Sequence, residues 1–314
     1  MLLRLLMISA LGLLSACSDK QAEPGMHKTR YHNDYSIGRF TAPDRGFDSN
    51  SFWIKGPVGV ILIGTQFLPS AALQAVKIAE SVTGKKVVMA IVLHATPDQF
   101  NGTEALQQRG IRVVSAKAVV DEIPTVDAQS RQTYFASYQP DYPVQLVLPE
   151  ALWDKTQEFD AAGLHLKAYV IRGGVSQAHV LIELDDHLFV GDLVVNGYHA
   201  SMQQGMSREW LERLDEIRKF SHHGVIHPGR GYAMNGDELL NQQDDYLHYV
   251  QKAVARQYAG AQISPGDTQA IISDITRHYP GYGLPQLLDT GVPAEWNRLR
   301  QEDHKAMMME ENPR

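Results

Sequence analysis

The chain has 314 residues, of which 44% are hydrophobic and 21% are charged, values that are ordinary for a globular protein. The formal net charge of −7, without any run of Lys or Arg, argues against nucleic acid as a partner. The single cysteine, Cys17, excludes a disulfide within the chain and leaves no other thiol to bind a metal or act as a nucleophile.

The first element in the chain, residues 1–16, is typical of a secretory signal peptide. Arg4 precedes a short apolar run that is too short for a permanent membrane span, and small residues precede Cys17. Leu14–Cys17 resembles the lipobox of bacterial lipoproteins, which implies cleavage before Cys17 and lipidation of that cysteine. An ordinary signal peptide with an incidental cysteine is the alternative.

The lipobox resemblance predicts the location of the protein. We expect it in the bacterial cell envelope, held at the membrane through the lipid anchor on Cys17 and facing the periplasm. Ser18, in place of an aspartate after the cysteine, favours the outer membrane by resemblance to enterobacterial sorting.

Residues 17–50 are predicted to form a flexible tether between this anchor and the folded body. The segment is polar and contains Pro24, Gly25, Pro43 and Gly46, and no apolar period is sustained along it. The first strand of the body is expected at Ser51–Ile54.

Residues 51–235 alternate between strand and helix patterns and predict one layered α/β domain. Residues 236–314 predict a C-terminal helical extension packed on that domain, with one helix at Glu238–Gln257 and another that begins near Asp267. Strands are further predicted at Val58–Ile63, Lys86–Leu93, Ile111–Val114, Val144–Leu148, Leu164–Ile171, His179–Leu184, Leu188–Val190 and Val225–Ile226. Helices of the domain are predicted at Ala71–Glu80, Thr103–Gly110, Gln129–Tyr138 and Arg208–Phe220.

The segment that follows the strand Lys86–Leu93 carries the strongest functional signal. It places His94, Thr96, Asp98 and Gln99 in a frame that resembles the His-x-His-x-Asp-His signature of the metallo-β-lactamase-fold hydrolases. The resemblance implies an αββα sandwich in which two zinc ions activate a water that attacks an ester, thioester, amide or phosphoester. Thr96 and Gln99 replace two of the histidines, and a hydroxyl and a neutral amide are poor zinc ligands.

Three later segments resemble the remaining ligand positions of that family. Val175 stands where the third histidine is expected, and His179 follows four residues later. Asp192, in Phe-Val-Gly-Asp, keeps the bridging aspartate, whereas Arg230, in Pro-Gly-Arg-Gly, replaces the last histidine. A guanidinium cannot bind a cation, so we expect Arg230 to pair with the two surviving carboxylates, Asp98 and Asp192.

The resemblance leaves two functions open. In the first, the protein is non-catalytic and binds a small molecule or an envelope protein in the former active-site cleft, with no cofactor expected. In the second, it is a metal-dependent hydrolase with a mononuclear or rebuilt zinc site. We favour the first, because the departures from the ligand set fit one another. The candidate cleft comprises His94, Thr96, Asp98, Gln99, Val175, His179, Asp192 and Arg230, and the alternative metal ligands are His94, Asp98, His179 and Asp192.

Overall fold

The computed structural model describes residues 29–30, 35–220 and 224–311. The predicted signal peptide and Cys17 lie outside these residues, so cleavage and lipidation remain predictions. Within the described part of the chain, no helix is both long enough and apolar enough to cross a membrane.

The first of two β-sheets contains seven strands that lie side by side in chain order. Its first four strands pair antiparallel, and its last four pair parallel. The central strand Val60–Ile63 is buried at every residue because both faces of the sheet are covered. The strands are β1 (Thr29–Arg30), β2 (Ser36–Thr41), β3 (Asn50–Lys55), β4 (Val60–Ile63), β5 (Val87–Ile91), β6 (Arg112–Ala116) and β7 (Glu150–Trp153).

The second sheet contains six strands in the order β13-β12-β11-β10-β9-β8. Side chains along β10 alternate between two cores, with Val180 and Ile182 in the core between the sheets and Leu181 in the core on the opposite face. The strands are β8 (Gln157–Ala161), β9 (Leu164–Arg172), β10 (Ala178–Leu184), β11 (His187–Val195), β12 (Val225–Arg230) and β13 (Met234–Asn235).

Helices cover the outer face of each sheet, so the layers run helix, sheet, sheet, helix. Ala72 and Val76 of α1 and Ile123 of α4 pack in the core of the first sheet, whereas Trp210 of α5 and Leu247 of α6 pack on the second. The predicted αββα sandwich with C-terminal helices is therefore confirmed. The helices are α1 (Pro69–Thr83), α2 (Pro97–Phe100), α3 (Thr103–Gln108), α4 (Lys117–Tyr138), α5 (Ser207–Phe220), α6 (Gly236–Gln257), α7 (Pro265–His278) and α8 (Leu288–Glu311).

The structure corrects the predicted tether over residues 17–50. Within it, Ser36–Thr41 forms β2, where Ile37 and Phe40 are buried. The sequence did not predict this strand, because Gly38 and Arg39 interrupt the alternation of apolar and polar residues that is typical of a strand. Gly38 lies where a side chain would collide with the Trp53 ring, and Arg39 is buried because it donates to the Gly231 carbonyl. The predicted tether is therefore wrong over residues 36–50.

The predicted strand Val144–Leu148 is also wrong. This segment is irregular, Val144 is 76% exposed, and the edge strand pairing with β6 is instead Glu150–Trp153. Pro143 and Pro149 flank the apolar run, and prolines at both ends disfavour a continuous ladder because they lack the N–H donor.

Candidate functional site

The two sheets bring the motif segments together at one edge of the sandwich. His94, just beyond the end of β5, forms an isolated antiparallel bridge with His179 of β10. Both imidazoles are fully buried, with ring centroids 5.3 Å apart. Asp192 of β11 and Arg230 at the end of β12 lie beside them, because β11 and β12 run parallel and adjacent.

The His94 imidazole has both of its nitrogens engaged by the protein. Its Nε2 accepts a hydrogen bond from the Asp192 backbone N–H at 3.1 Å, and its Nδ1 lies 3.0 Å from the Thr96 hydroxyl oxygen. Burial lowers the pKa of His94. Because Nε2 accepts a hydrogen bond, the network assigns the ring proton to Nδ1, which donates to Thr96. The Thr96 hydroxyl joins His94 to the network around Asp98.

Glycine at position 191 is required for this contact. Gly191 has a φ of 57°, and a Cβ there would lie 2.6 Å from the Cδ2 atom of His94. A larger residue would therefore be strained and would displace the imidazole. The strand-end Gly-Asp pair that the sequence preserves has a steric role that does not depend on a metal.

Arg230 bridges Asp98 and Asp192, the two carboxylates of the predicted site. Its Nη2 donates to Asp98 Oδ2 at 3.1 Å, its Nη1 donates to Asp192 Oδ2, and its Nε donates to the Phe47 carbonyl at 2.9 Å. Each of the three ionic side chains is at most 7% exposed. The ion pairs predicted from the charge balance are therefore present, and we refer to Asp98, Arg230 and Asp192 as the buried triad.

The buried triad favours the ionised forms of Asp98 and Arg230. Burial alone would raise the pKa of Asp98, but the Arg230 charge and the Thr96 hydrogen bond outweigh it and hold that pKa below its ordinary value. For Arg230, burial disfavours the charge, whereas Asp192 and Asp98 favour it and raise the guanidinium pKa further. The site is thus a charged but internally paired unit with a formal charge of −1.

The other predicted site residues have structural roles. The Gln99 side-chain oxygen lies 3.4 Å from the Leu93 backbone nitrogen, which donates to it, and Val175 is buried in the apolar core of the second sheet. His179 Nε2 accepts from the Ser176 N–H at 3.2 Å, and burial lowers the pKa of His179 well below its ordinary value. Its Nδ1 has no hydrogen-bond partner among the described residues.

The residues present do not fit the zinc site of the resembled family. The Nε2 atoms of His94 and His179 already accept backbone N–H groups, and the Arg230 guanidinium holds the position between the carboxylates. Within the ranges that the structure describes, no group of three or more His, Cys, Asp or Glu side chains is arranged to hold a metal ion. The alternative ligand set His94, Asp98, His179 and Asp192 is not assembled.

A cleft of about 210 Å³ opens directly above the buried triad. Its walls come from one face of α4, from the loop between β11 and α5, and from the segment that leads into α8. Sequence reasoning missed these walls, because polar residues on one face of a helix predict a solvated surface equally well. The lining residues are Phe47, Phe67, Thr96, Pro97, Asp98, Val126, Gln129, Ser130, Thr133, Tyr134, Asp192, Ser201, Gln203, Gln204, Arg230, Leu284, Leu287 and Thr290.

Phe47 connects the cleft to the buried triad. Its φ of 58° lies in the left-handed region, and the same holds for Asp48 at 51°. A bulky residue persists there only where its surroundings enforce the conformation, and the Phe47 carbonyl accepts the Nε–H of Arg230. The Phe47 ring packs edge-on against Phe67 and Tyr134, with centroids 4.9 and 5.6 Å away, and forms an aromatic wall of the cleft with them.

Comparison with known proteins identifies the fold. A metallo-β-lactamase from Pontibacter korlensis superposes with a TM-score of 0.54 and 18% identity over 71% of this chain and 99% of its own. The DIM-1 metallo-β-lactamase matches with a TM-score of 0.53 and 12% identity, over 72% of this chain and 98% of its own. A metallo-β-lactamase from Erythrobacter litoralis matches with a TM-score of 0.52 and 16% identity, over 71% of this chain and 96% of its own.

Sequence comparisons add nothing to this result, since no family model and no curated protein matches the chain. The chain therefore has the metallo-β-lactamase fold, at a sequence identity too low to transfer an activity.

Proposed function

We propose that this protein is a lipid-anchored binding protein of the bacterial cell envelope, which holds a small ligand in the cleft above Arg230 and does not hydrolyse it. The observation that carries the proposal is the guanidinium of Arg230 between Asp98 and Asp192. It supplies the positive charge that two buried carboxylates require, and so it removes the need for a metal.

The chemistry of the cleft supports binding over catalysis. It contains the hydroxyls of Ser130, Thr133 and Ser201, but none of the described residues that line it is a histidine or a lysine. A hydroxyl nucleophile needs an adjacent base, and the two lining aspartates are paired with Arg230. The cleft therefore has groups that could hold a ligand but lacks the pairing that would activate a nucleophile.

The ligand-binding proposal is tested by replacing a residue of the cleft wall with a larger one that fills the cleft. Thr133 and Gln132 are neighbouring exposed residues of α4, but only Thr133 lines the cleft. Binding of a fragment library is followed by ligand-observed NMR on the full lipidated chain in detergent. We expect ligands that bind the parent and Gln132→Trp equally and that are lost in Thr133→Trp.

The hydrolase alternative makes the opposite prediction. Purified protein from zinc-replete medium would carry one or more equivalents of zinc and would cleave a general ester, thioester or phosphodiester substrate. If the parent binds zinc and cleaves a substrate, and His94→Ala or Asp192→Ala loses both properties, the hydrolase alternative replaces the binding proposal. We expect well under one equivalent of zinc and no turnover.

The anchor is proposed from the sequence alone. Cys17→Ser should move the protein from the membrane fraction to the soluble periplasmic fraction, because the acyl chains would be lost. Equal membrane association of Cys17→Ser and the parent would contradict the anchor and leave the cleft proposal unaffected.

A further inference from the structure

We infer that the ligand of this cleft is a neutral saccharide, of which one sugar ring enters the cleft. This inference rests on the proposed binding function and specifies its ligand class. Three observations carry it: the charge of the buried triad, which forms the floor of the cleft, the neutral hydrogen-bonding groups of the walls, and the aromatic wall formed by Phe47, Phe67 and Tyr134.

The floor selects against anions. The buried triad has two carboxylates and one guanidinium, so its formal charge is −1, and the three groups of Arg230 that donate are directed to Asp98, Asp192 and the Phe47 carbonyl. Neither Lys nor a second Arg lines the cleft among the described residues. A carboxylate or phosphate ligand would meet net repulsion in a partly desolvated site, where charge interactions are strong.

The walls present hydrogen-bonding groups that the protein itself does not use. Their side chains make no hydrogen bond to any other described residue, in contrast to the paired groups of the floor. Side-chain amides both donate and accept, and hydroxyls do the same, so these groups can pair with neighbouring hydroxyls of a polyol without a charge on either partner. The six side chains are Gln129, Ser130, Thr133, Ser201, Gln203 and Gln204.

An apolar face of the ligand would lie against the aromatic wall. Phe67 is buried, Phe47 and Tyr134 are half-buried, and the three rings pack edge to face. A pyranose ring combines a hydroxyl-rich edge with an apolar C–H face, which matches a cleft lined by both side-chain amides and aromatic rings. The cavity of about 210 Å³ is smaller than the ~300–1,000 Å³ of pockets for drug-sized ligands, so it admits one ring.

The test compares sugars of equal shape and different charge. Full-length lipidated protein in detergent is titrated by saturation-transfer NMR with glucose, galactose, mannose and N-acetylglucosamine, and with glucuronic and galacturonic acids as anionic counterparts. We expect at least one neutral sugar to bind saturably and the uronic acids to bind several-fold more weakly. Removing both wall amides in Gln129→Ala/Gln203→Ala should weaken binding about tenfold or more. The matched control, Gln132→Ala, should leave it unchanged.

The remaining outcomes separate the ligand class from the binding function. Tighter binding of a uronic acid than of its neutral counterpart overturns the charge argument and the inference. If no sugar binds at about 10 mM while a non-carbohydrate fragment binds the parent and is lost in Thr133→Trp, the saccharide class is wrong and the binding function stands. If neither class of probe binds, both proposals are wrong. If Gln132→Ala weakens sugar binding as much as the double variant does, the assignment of Gln129 and Gln203 as ligand-binding groups is also overturned.

Discussion

Two networks in which one arginine pairs with two carboxylates occupy different places in the molecule. Arg230 joins Asp98 and Asp192, which lie 132 and 38 residues away in the chain. Arg298 joins Glu295 and Glu302 within the single helix α8, at spacings of three and four residues. The first network depends on the whole sandwich to bring its members together, whereas the two pairs of Arg298 follow from the spacing of residues along one helix.

The surroundings of the two networks differ as much as their topology. Glu295 is fully buried and also accepts from the Ser207 hydroxyl at 2.7 Å, so it fastens α8 to the start of α5, while Glu302 is one-third exposed. All three members of the Arg230 network are at most 7% exposed, and they form the floor of the cleft. The local network anchors the extension, and the non-local network forms the floor of the cleft.

Loss of Arg230 should have the largest effect on stability. Arg230→Ala leaves two carboxylates unpaired in a buried site, so we expect the free energy of unfolding to fall by about 3–5 kcal/mol. Denaturant titration measures it. Arg230→Ala combined with Asp98→Asn should recover part of the loss, because one of the unpaired charges is removed. Stability of Arg230→Ala equal to the parent would show that the triad does not hold the site together.

The vacated position should then attract a divalent cation. Added zinc should stabilise Arg230→Ala by about 1–3 kcal/mol at saturation, since ligand binding to the folded state alone stabilises it, and should not stabilise the parent. Thermal unfolding with and without zinc measures the difference. Arg298→Ala is the comparison variant, because it also removes an arginine from between two carboxylates, but at a partly exposed site where Glu302 keeps its ion pair with Arg208. Equal zinc responses in both variants would contradict a metal-like position for Arg230.

Loss of Arg298 should cost less than loss of Arg230. Glu295 keeps its hydrogen bond from Ser207, and water can reach the network from the exposed side of Glu302, so Arg298→Ala should cost about 2 kcal/mol. The same denaturant titration applies. A loss as large as that for Arg230→Ala would remove the energetic distinction between the two networks.

The last predicted effect concerns pH and the extension. His199 is buried and donates to or accepts from the Tyr246 hydroxyl, and burial lowers the pKa of His199 to about 4. The unfolded chain binds a proton near pH 6.5, so stability should fall as pH drops from about 6.5 towards 4. His199→Asn should reduce the slope of unfolding free energy against pH in that window. An unchanged slope would show that His199 does not contribute to the pH dependence.

The sequence predicted the floor of the site better than its walls. The motif frame located His94, Asp98, Asp192 and Arg230, and charge balance alone predicted the pairing of Arg230 that the structure contains. Such reasoning succeeds because two buried carboxylates have few ways to be neutralised. The alternative in which His179 binds a metal does not fit the structure, because the Nε2 atom of His179 accepts a hydrogen bond from the Ser176 N–H.

The walls could not be predicted for a physical reason. Gln129 and Thr133 follow the ordinary pattern of an exposed helix face, and only the fold places this face across a cleft from residues of the β11–α5 loop and of the segment 284–290. The strand β2 was missed because Arg39 and Gly38 interrupt its alternation of apolar and polar residues. Gly38 packs against Trp53 and Arg39 donates to the Gly231 carbonyl, and both partners are distant in the sequence.

The contacts between the first strands and the Pro-Gly-Arg-Gly turn affect where the protein can be cut for laboratory production. Arg39 and the Asn50 amide both donate to the Gly231 carbonyl, Asn50 also donates to the Pro228 carbonyl, and the Phe47 carbonyl fixes Arg230. A truncated protein that begins at residue 51, where the sequence predicts the domain to start, would lose all of these contacts. Such a fragment would keep the pairs of Arg230 with Asp98 and Asp192 but would lose the carbonyl that accepts the Arg230 Nε–H, whereas one that begins before residue 35 retains the described contacts.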